Sequence, residues 1–402
     1  MRPSQNDSFV RVSLVSFLYF ASLSSAFSPT LALCAKDRGA GHLEIGLLYA
    51  FSGLLGTIMR LPSGSLSNVW GRRPFVLLGG LSCVVSPMIF ALSTTRYSLW
   101  MGCAAYGLAF LYAPSALSLM HDSLGDEEKT KRLGFYTISG GVGRALGPIL
   151  AGGLLQWRHS YEEVFFGSML LAAAGFLISI ALHDEKNGSV CRSELRQGHV
   201  SHHVWDEMVI ILKQPALLTS TLLRFFQSIA MGIFNTYFPL LAIGLGGLSA
   251  GAIGVSQGVM ILSSLGARGI ISRKNRSQPS LLSIQWGATG VGGLCLILMG
   301  YSSGFWMILL SCALLGFSDG LSHVANLIFV SKTVAKNLFS PAISIHSSAS
   351  DIGLLCGRTF PGLTMFVLSV GFPGCFLILG SAVFLLSSLS MIKTVQLKKW
   401  GC

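Results

Sequence analysis

Five arginines, two aspartates and one histidine lie inside stretches too apolar to solvate them: Arg60, Arg144, Arg224, Arg268 and Arg358, Asp319 and Asp351, and His323. An ionisable group at membrane depth costs about 2.5–3.5 kcal/mol on insertion scales and marks a pathway or a partner. Five cations cannot all be neutralised by two acids, so some must meet water, carbonyls or a bound anion. An arginine supplies a fixed positive fork. A carboxylate or an imidazole can gain and lose a proton near neutral pH. Asp319 and His323 stand four residues apart, which places them on one helical face. No nucleophile, metal set or phosphate loop accompanies them, so acid–base catalysis has nothing to act with. The chain reads as a non-enzyme that binds and moves charge. It contains no Walker A sequence, so ATP does not drive it directly, and no cofactor is expected.

The elements that must hold these groups are transmembrane helices. Half of the residues are hydrophobic (51%), 11% are charged, and mean hydropathy is +0.65. In lipid such a chain need only satisfy its backbone internally, and helices do so. A span takes roughly 20 apolar residues. The apolar runs predict twelve: 10–33, 44–68, 75–94, 98–120, 134–156, 163–182, 215–242, 250–271, 280–301, 304–331, 340–369 and 371–393. Ser24-Ser25-Ala26 could end a signal peptide, but the first run is longer than a typical signal h-region, so it is read as a true span.

The net charge of +12 is not a nucleic-acid signal, because it is spread over the connections. Even-numbered connections and both tails hold most Lys and Arg, including Arg72, Arg73, Lys131, Arg132, Arg273, Lys274, Lys332 and Lys398. Odd-numbered connections hold only Lys36, Arg38, Arg96 and Arg158. The cytoplasmic excess of such residues places both termini inside, which fits an even number of spans. The expected location is the cell (plasma or inner) membrane, multi-pass. The run Asp126–Arg132 reads as a solvated cytoplasmic loop. The nine cysteines lack a C-x-x-C pair and read as small apolar packers. His199, His202 and His203 fall in a polar segment, and no metal site is expected there.

That polar segment, 183–213, divides an N-terminal bundle, 1–182, from a C-terminal bundle, 214–402. The halves echo each other. Gly46 and Arg60 stand fourteen apart, as do Gly254 and Arg268. Pro29 corresponds to Pro239, Gly107 to Gly316, and Gly143-Arg144 to Gly357-Arg358. An offset near ~210 residues is the internal symmetry of repeat-built transporters. The fold class is therefore an all-α membrane protein, with twelve transmembrane helices in two pseudo-symmetric six-helix bundles.

Two motifs carry a family resemblance. The connection after the second span reads Gly64-Ser65-Leu66-Ser67-Asn68-Val69-Trp70-Gly71-Arg72-Arg73-Pro74. Gly64 admits a close helix, Gly71 allows the tight turn, and the arginines meet the anionic leaflet. The fifth span carries Gly134, then Gly143-Arg144-Ala145-Leu146-Gly147-Pro148-Ile149-Leu150-Ala151-Gly152-Gly153. Its small residues allow close packing in lipid, and Pro148 bends the helix. The first motif resembles the signature loop of the major facilitator superfamily, with Asn68 where that family has Asp. The second is similar to the family's antiporter motif, with Ala151 at one Gly position. Cys103, four before Gly107, stands where a third motif has the arginine associated with proton coupling.

The resemblance implies a secondary transporter whose first, fourth, seventh and tenth helices line a central cavity exposed to each side in turn. On that basis the expected substrate-binding residues are Arg224, Gln227, Asn235, Asp319, His323, Asn326, Tyr19 and Tyr106, with Ser22, Ser228 and Met231 nearby. Asp319, His323 and Asp351 are the expected proton carriers. Gating is expected of Gly64, Asn68, Gly71, Arg72, Arg73, Arg60, Gly143, Arg144, Gly147 and Pro148. Arg60 and Asp351 could pair across the second and eleventh helices in one conformation. A structural reading stays open for Asp319 and His323 as a hydrogen-bonded pair, for Arg224 as half of a salt bridge, and for Arg144 and Arg358 as parts of bends. The expected function is proton-coupled efflux of a drug or metabolite. The alternatives are an uptake or facilitated-diffusion carrier of a small, possibly anionic, solute, and a non-transporting receptor on the same fold. The expected partners are a small-molecule substrate, protons and the lipid bilayer, without nucleic acid, for a protein acting as a monomer.

Overall fold

The computed structural model describes residues 5–122, 126–182, 214–272, 277–302, 304–334 and 339–399. Every regular element among them is helical. The chain runs α1 (Gln5–Ser25), a kinked segment (Ala26–Leu31), α2 (Ala32–Asp37), α3 (His42–Trp70), α4 (Arg72–Leu92), α5 (Ser98–Leu108), a 3-10 turn (Ala109–Leu111), α6 (Tyr112–Asp122), α7 (Asp126–Arg158) and α8 (Tyr161–Ile180). It continues with α9 (Pro215–Gly246), α10 (Ala250–Ser272), α11 (Gln278–Tyr301), α12 (Phe305–Thr333), α13 (Phe339–Leu368) and α14 (Phe372–Lys399). Eleven helices in the described residues are long and apolar enough to cross a membrane.

Local chemistry sets the boundaries. Gly71 separates α3 from α4 at φ 88°, ψ 157°, a conformation that a side chain would resist. Ser160 caps α8 by accepting the backbone N–H of Glu163, and Glu162 and Glu163 sit in the first turn, where the helix dipole favours acids. Pro215 opens α9, where its missing N–H costs nothing. Gly247 closes that helix in the left-handed region, its N–H bonded to the Ile243 carbonyl.

Three boundaries differ from the sequence expectation. The first predicted span is interrupted at Ser28, which is extended (φ −136°, ψ 120°) ahead of Pro29. Proline pushes its predecessor out of the helical region. The fourth predicted span, 98–120, is divided into two 11-residue helices by the 3-10 turn. Pro114 cannot donate to the Phe110 carbonyl four residues back, and its ring crowds that carbonyl, so the turn falls where α-helical bonding is lost. Third, 126–132 is helical from Asp126 rather than a loop. Glu127, Glu128, Lys129 and Lys131 are good helix formers, with acids at the dipole's positive end.

The chain forms two compact units: Met1–Leu195 with Leu248–Gly258, and Arg196–Gly247 with Val259–Cys402. The core of the first gathers Val15, Tyr19, Val76, Cys83, Tyr112 and Ala172. That of the second gathers Leu217, Leu223, Ile271, Leu281, Ala325 and Phe329. Glycine seals helix pairs in both units. A Cβ added at Gly143 of α7 would lie 2.3 Å from the Phe17 carbonyl oxygen of α1, and one at Gly147 would lie 2.6 Å from that of Ala21. In the second unit, a Cβ at Gly357 of α13 would lie 2.1 Å from the Ile229 carbonyl oxygen of α9, and one at Gly353 would lie 2.4 Å from that of Phe225. Backbones this close require a hydrogen in place of a side chain. The two pairs sit at matching places in the repeat.

Candidate substrate and coupling site

The second unit concentrates the charged chemistry. Asp319, in the middle of α12, is 7% exposed. Arg224 of α9 places Nη1 3.2 Å from its Oδ1 and donates to it. Arg268 of α10 places Nη2 3.7 Å from its Oδ2, and Ser264 donates its hydroxyl to the same oxygen at 3.2 Å. Two guanidinium groups from two helices thus flank one carboxylate. They lie 95 and 51 residues from it in sequence, so only the packing of α9, α10 and α12 brings them together. That packing is close: a Cβ at Gly320 would lie 2.2 Å from the Ser264 carbonyl oxygen, and one at Gly316 would lie 1.9 Å from that of Met260. His323 sits one turn beyond Asp319 with its side chain exposed.

Neutral hydrogen bonds extend behind this cluster. Gln227, buried on α9, donates to the Ser318 hydroxyl at 3.3 Å. Ser228 pairs with Ser350 of α13 at 2.8 Å. Asn326 donates to Ser220 at 2.9 Å, and the Ser220 hydroxyl donates to Gln285 of α11 at 2.7 Å. His346 of α13 meets the Thr221 hydroxyl at 3.1 Å. Asn235 is half-buried on α9, and Asp351 is half-buried on α13. Ser220, Thr221, Ser264, Gln285 and His346 were not singled out from the sequence. Ser220 could have been, because it lies four residues before Arg224 and continues its stripe.

The first unit holds its own aromatic cluster. Tyr106 of α5 stacks on Phe27 with ring centroids 3.8 Å apart at 21°. Tyr49 meets Phe27 edge-on at 4.6 Å and donates its hydroxyl to the Phe27 carbonyl. Arg60 is exposed on α3, with its guanidinium 4.5 Å from the Phe110 ring. Tyr19 is fully buried: it donates to Ser179 at 3.2 Å and meets Tyr112 edge-on. Its hydroxyl fills the space beside Gly80, where a Cβ would come within 2.2 Å of it.

The expected gating residues are spread along this unit. Gly64 and Asn68 fall on the last turns of α3. Arg72 is half-buried at the start of α4, and Arg73 donates to the Ile180 carbonyl at the end of α8 at 2.8 Å. A cation at a helix C-terminus satisfies a terminal carbonyl and the dipole together. Arg144 is exposed; its carbonyl accepts from Ser24 at 2.7 Å. Gly147 and Pro148 are buried on α7. The expected linker 183–213, with His199, His202 and His203, lies outside the described residues.

The profile of the Major Facilitator Superfamily matches residues 12–357. The chain belongs to this family. Among Major Facilitator Superfamily relatives, it is 26% identical over 379 residues to the multidrug resistance protein MdtG of Escherichia fergusonii, spanning 89% of each chain. It is 23% identical over 297 residues to the quinolone resistance protein NorA of Staphylococcus aureus, spanning 73% of this chain and 74% of that one. Among solved structures, a point mutant of the nucleoside transporter NupG superposes with a TM-score of 0.77 at 14% identity, over 96% of this chain and 99% of that one. A bacterial homologue of the human lysosomal transporter Spinster gives 0.74 at 13% identity, over 98% of each. These similarities show the Major Facilitator Superfamily fold. The protein is accordingly a multi-pass membrane protein of a transporter family, and a small molecule is its substrate.

Proposed function

We propose that the chain is a proton-coupled exporter of small organic molecules that works by alternating access, with both termini cytoplasmic. The observation that carries this reading is the Asp319 carboxylate, held at membrane depth between Arg224 and Arg268. A carboxylate in that position has two ways of being satisfied, by the guanidinium groups or by a proton. Withdrawal of Arg224 with α9 favours protonation, and its return expels the proton. Such an exchange couples a helix rearrangement to a proton gradient without the arginine that Cys103 replaces. Asp319 is the principal carrier in this scheme, with His323 and Asp351 as its relays.

In the second unit, Arg224, Asn235 and His323 contact the transported molecule, while Gln227 and Asn326 tie α9 to α12 through Ser318 and Ser220; in the first unit, Tyr106 offers an aromatic face to it, with Tyr19 in the core of that unit. Arg73, tied to α8, and the sealed α1–α7 pair at Gly143 and Gly147 transmit the rearrangement, together with Gly64, Asn68, Gly71, Arg72, Arg60, Arg144 and Pro148. Outward direction is supported by the names of MdtG and NorA, which record drug resistance.

The test is reconstitution in proteoliposomes with an imposed pH gradient. Compounds of varied charge are screened for counterflow of protons, read with an internal pH dye. The proposal expects proton movement that depends on the compound and is lost in Asp319→Asn. Flux that ignores the gradient, or that survives in Asp319→Asn, overturns it.

A further inference from the structure

His346 of α13 is buried and has no role in the proton exchange at Asp319. Its two ring nitrogens have defined partners. Nδ1 lies 2.9 Å from the Ala342 carbonyl, one turn back on its own helix. A carbonyl only accepts, so Nδ1 carries a hydrogen and donates it. Nε2 lies 3.1 Å from the Thr221 hydroxyl of α9. That hydroxyl also stands 2.8 Å from the Leu217 carbonyl, to which it can donate. A hydroxyl has one hydrogen to give and lone pairs with which to accept. Its rotation therefore satisfies the ring in either protonation state. With a neutral ring, Thr221 donates to Nε2. With a protonated ring, Nε2–H donates to Thr221, whose own hydrogen turns to Leu217. A buried histidine matched to one state only would strand a polar group when it titrates, at a cost of about 1–3 kcal/mol. Among the charged groups described on α9, α12 and α14, the helices packed against α13 in this unit, Arg224 is the one that acts on the ring. It stands three residues after Thr221 on the same face of α9. On α13 itself, Asp351 follows five residues later.

We propose that His346 is a second proton-binding site, formed with Thr221 and set against Asp319 through Arg224. When a proton arrives, an N–H bond forms at Nε2, the Thr221 hydroxyl rotates from Nε2 to the Leu217 carbonyl, and the ring gains one positive charge; no other bond changes. Arg224 decides when that charge is tolerated. Its guanidinium donates to Asp319 at 3.2 Å, and while this carboxylate is ionised the arginine's charge is met. Once Asp319 takes a proton, the guanidinium loses that counter-charge beside the ring, and like charges in apolar surroundings repel. The two sites therefore hold a proton alternately. The glycine seals at Gly353 and Gly357 keep α13 against α9, so His346 stays with Thr221 and Arg224 when α9 withdraws from Asp319. The inference rests on the transport reading for the role of Asp319, but proton binding at His346 is measured without any transported compound.

The experiment is nitrogen magnetic resonance of the full chain in lipid vesicles, with the histidine rings isotopically labelled and the pH stepped from about 4 to 9. His346→Gln, or His346→Asn if the glutamine variant does not fold, identifies the His346 signal among those of the nine histidines. The neutral form is expected to carry its hydrogen on Nδ1, and the doubly protonated form should replace it reversibly as pH falls. Asp319→Asn should lower the protonated fraction at a given pH by about twofold or more. Thr221→Val should lower it as well, because a methyl cannot accept from Nε2–H, and Thr221→Ser should restore the parent curve. The inference is overturned if the neutral ring carries its hydrogen on Nε2, if one form persists across the whole range, or if either Asp319→Asn or Thr221→Val leaves the curve unchanged. Compound-dependent proton flux in proteoliposomes, beside a His346 that never titrates, would sink this inference and leave the transport reading standing. The expected titration without flux for any compound would do the reverse.

Discussion

Replacing Asp319 by Asn removes one charge and leaves the shape almost unchanged. In the parent, its oxygens lie 3.2 Å from Arg224 and 3.7 Å from Arg268. At an effective dielectric of about 20, those separations correspond to roughly 5 and 4.5 kcal/mol of attraction. Dehydrating three charged groups offsets much of that. What remains when one partner is deleted is the cost of stranded buried charge, about 3–5 kcal/mol for a buried pair. Asp319→Asn should therefore lower the apparent unfolding temperature in detergent by about 5 °C or more. Arg224→Gln alone should also destabilise, because it leaves Asp319 with the longer contact to Arg268. The double variant should lose less than the sum of the singles by about 1–3 kcal/mol, as residues in direct contact do. An unfolding temperature for Asp319→Asn within about 1 °C of the parent, or strict additivity in the cycle, would refute the reasoning. The cluster would then contribute nothing to stability, and its role as a coupled switch would lose its physical basis.

Three further outcomes follow from the packing. Gly143→Ala and Gly357→Ala should each destabilise by about 1–3 kcal/mol, because a methyl would be forced against backbone carbonyls; Gly153→Ala, where nothing lies within 4 Å of an added Cβ, should be neutral or stabilising in the same unfolding assay. Ser220→Ala takes a partner from both Asn326 and Gln285 and should cost about 1–3 kcal/mol, whereas Ser331→Ala, on the exposed side of α12, should cost little. Tyr106→Leu should reduce transport of flat aromatic compounds several-fold more than that of aliphatic ones of equal charge, because it removes the ring stacked on Phe27; equal losses in paired flux assays would contradict the assignment.

Apolar run length was enough to read most of the helices, because a bilayer demands it and little else produces it. The breaks at Ser28 and at the Ala109–Leu111 turn were harder. Pro29 and Pro114 are visible as residues, but prolines are tolerated in membrane helices, so their presence alone does not say which helix yields. The charged side chains were legible as a set, since each is costly where it stands. Their partners were not. Arg268 stands out in the sequence as a charge at membrane depth and as the counterpart of Arg60 in the first half, yet its contact with Asp319 depends on Gly316 and Gly320 letting α10 and α12 close together. Tyr19 shows the opposite failure. A tyrosine on the first span suggested a binding surface, but Gly80 and Gly175 leave room that its ring fills, and it became core.

The carbonyl-on-glycine seals between α1 and α7 and between α9 and α13 bear on how such a molecule can change shape. Backbones in direct contact have no side-chain layer that could repack, so neither pair can slide or pivot internally without opening a void in oil. Each pair is compelled to travel as one rigid beam. Flexibility must come from the remaining joints, among them the extended residue at Ser28 and the 3-10 turn after α5, where the helical hydrogen-bond ladder is already interrupted.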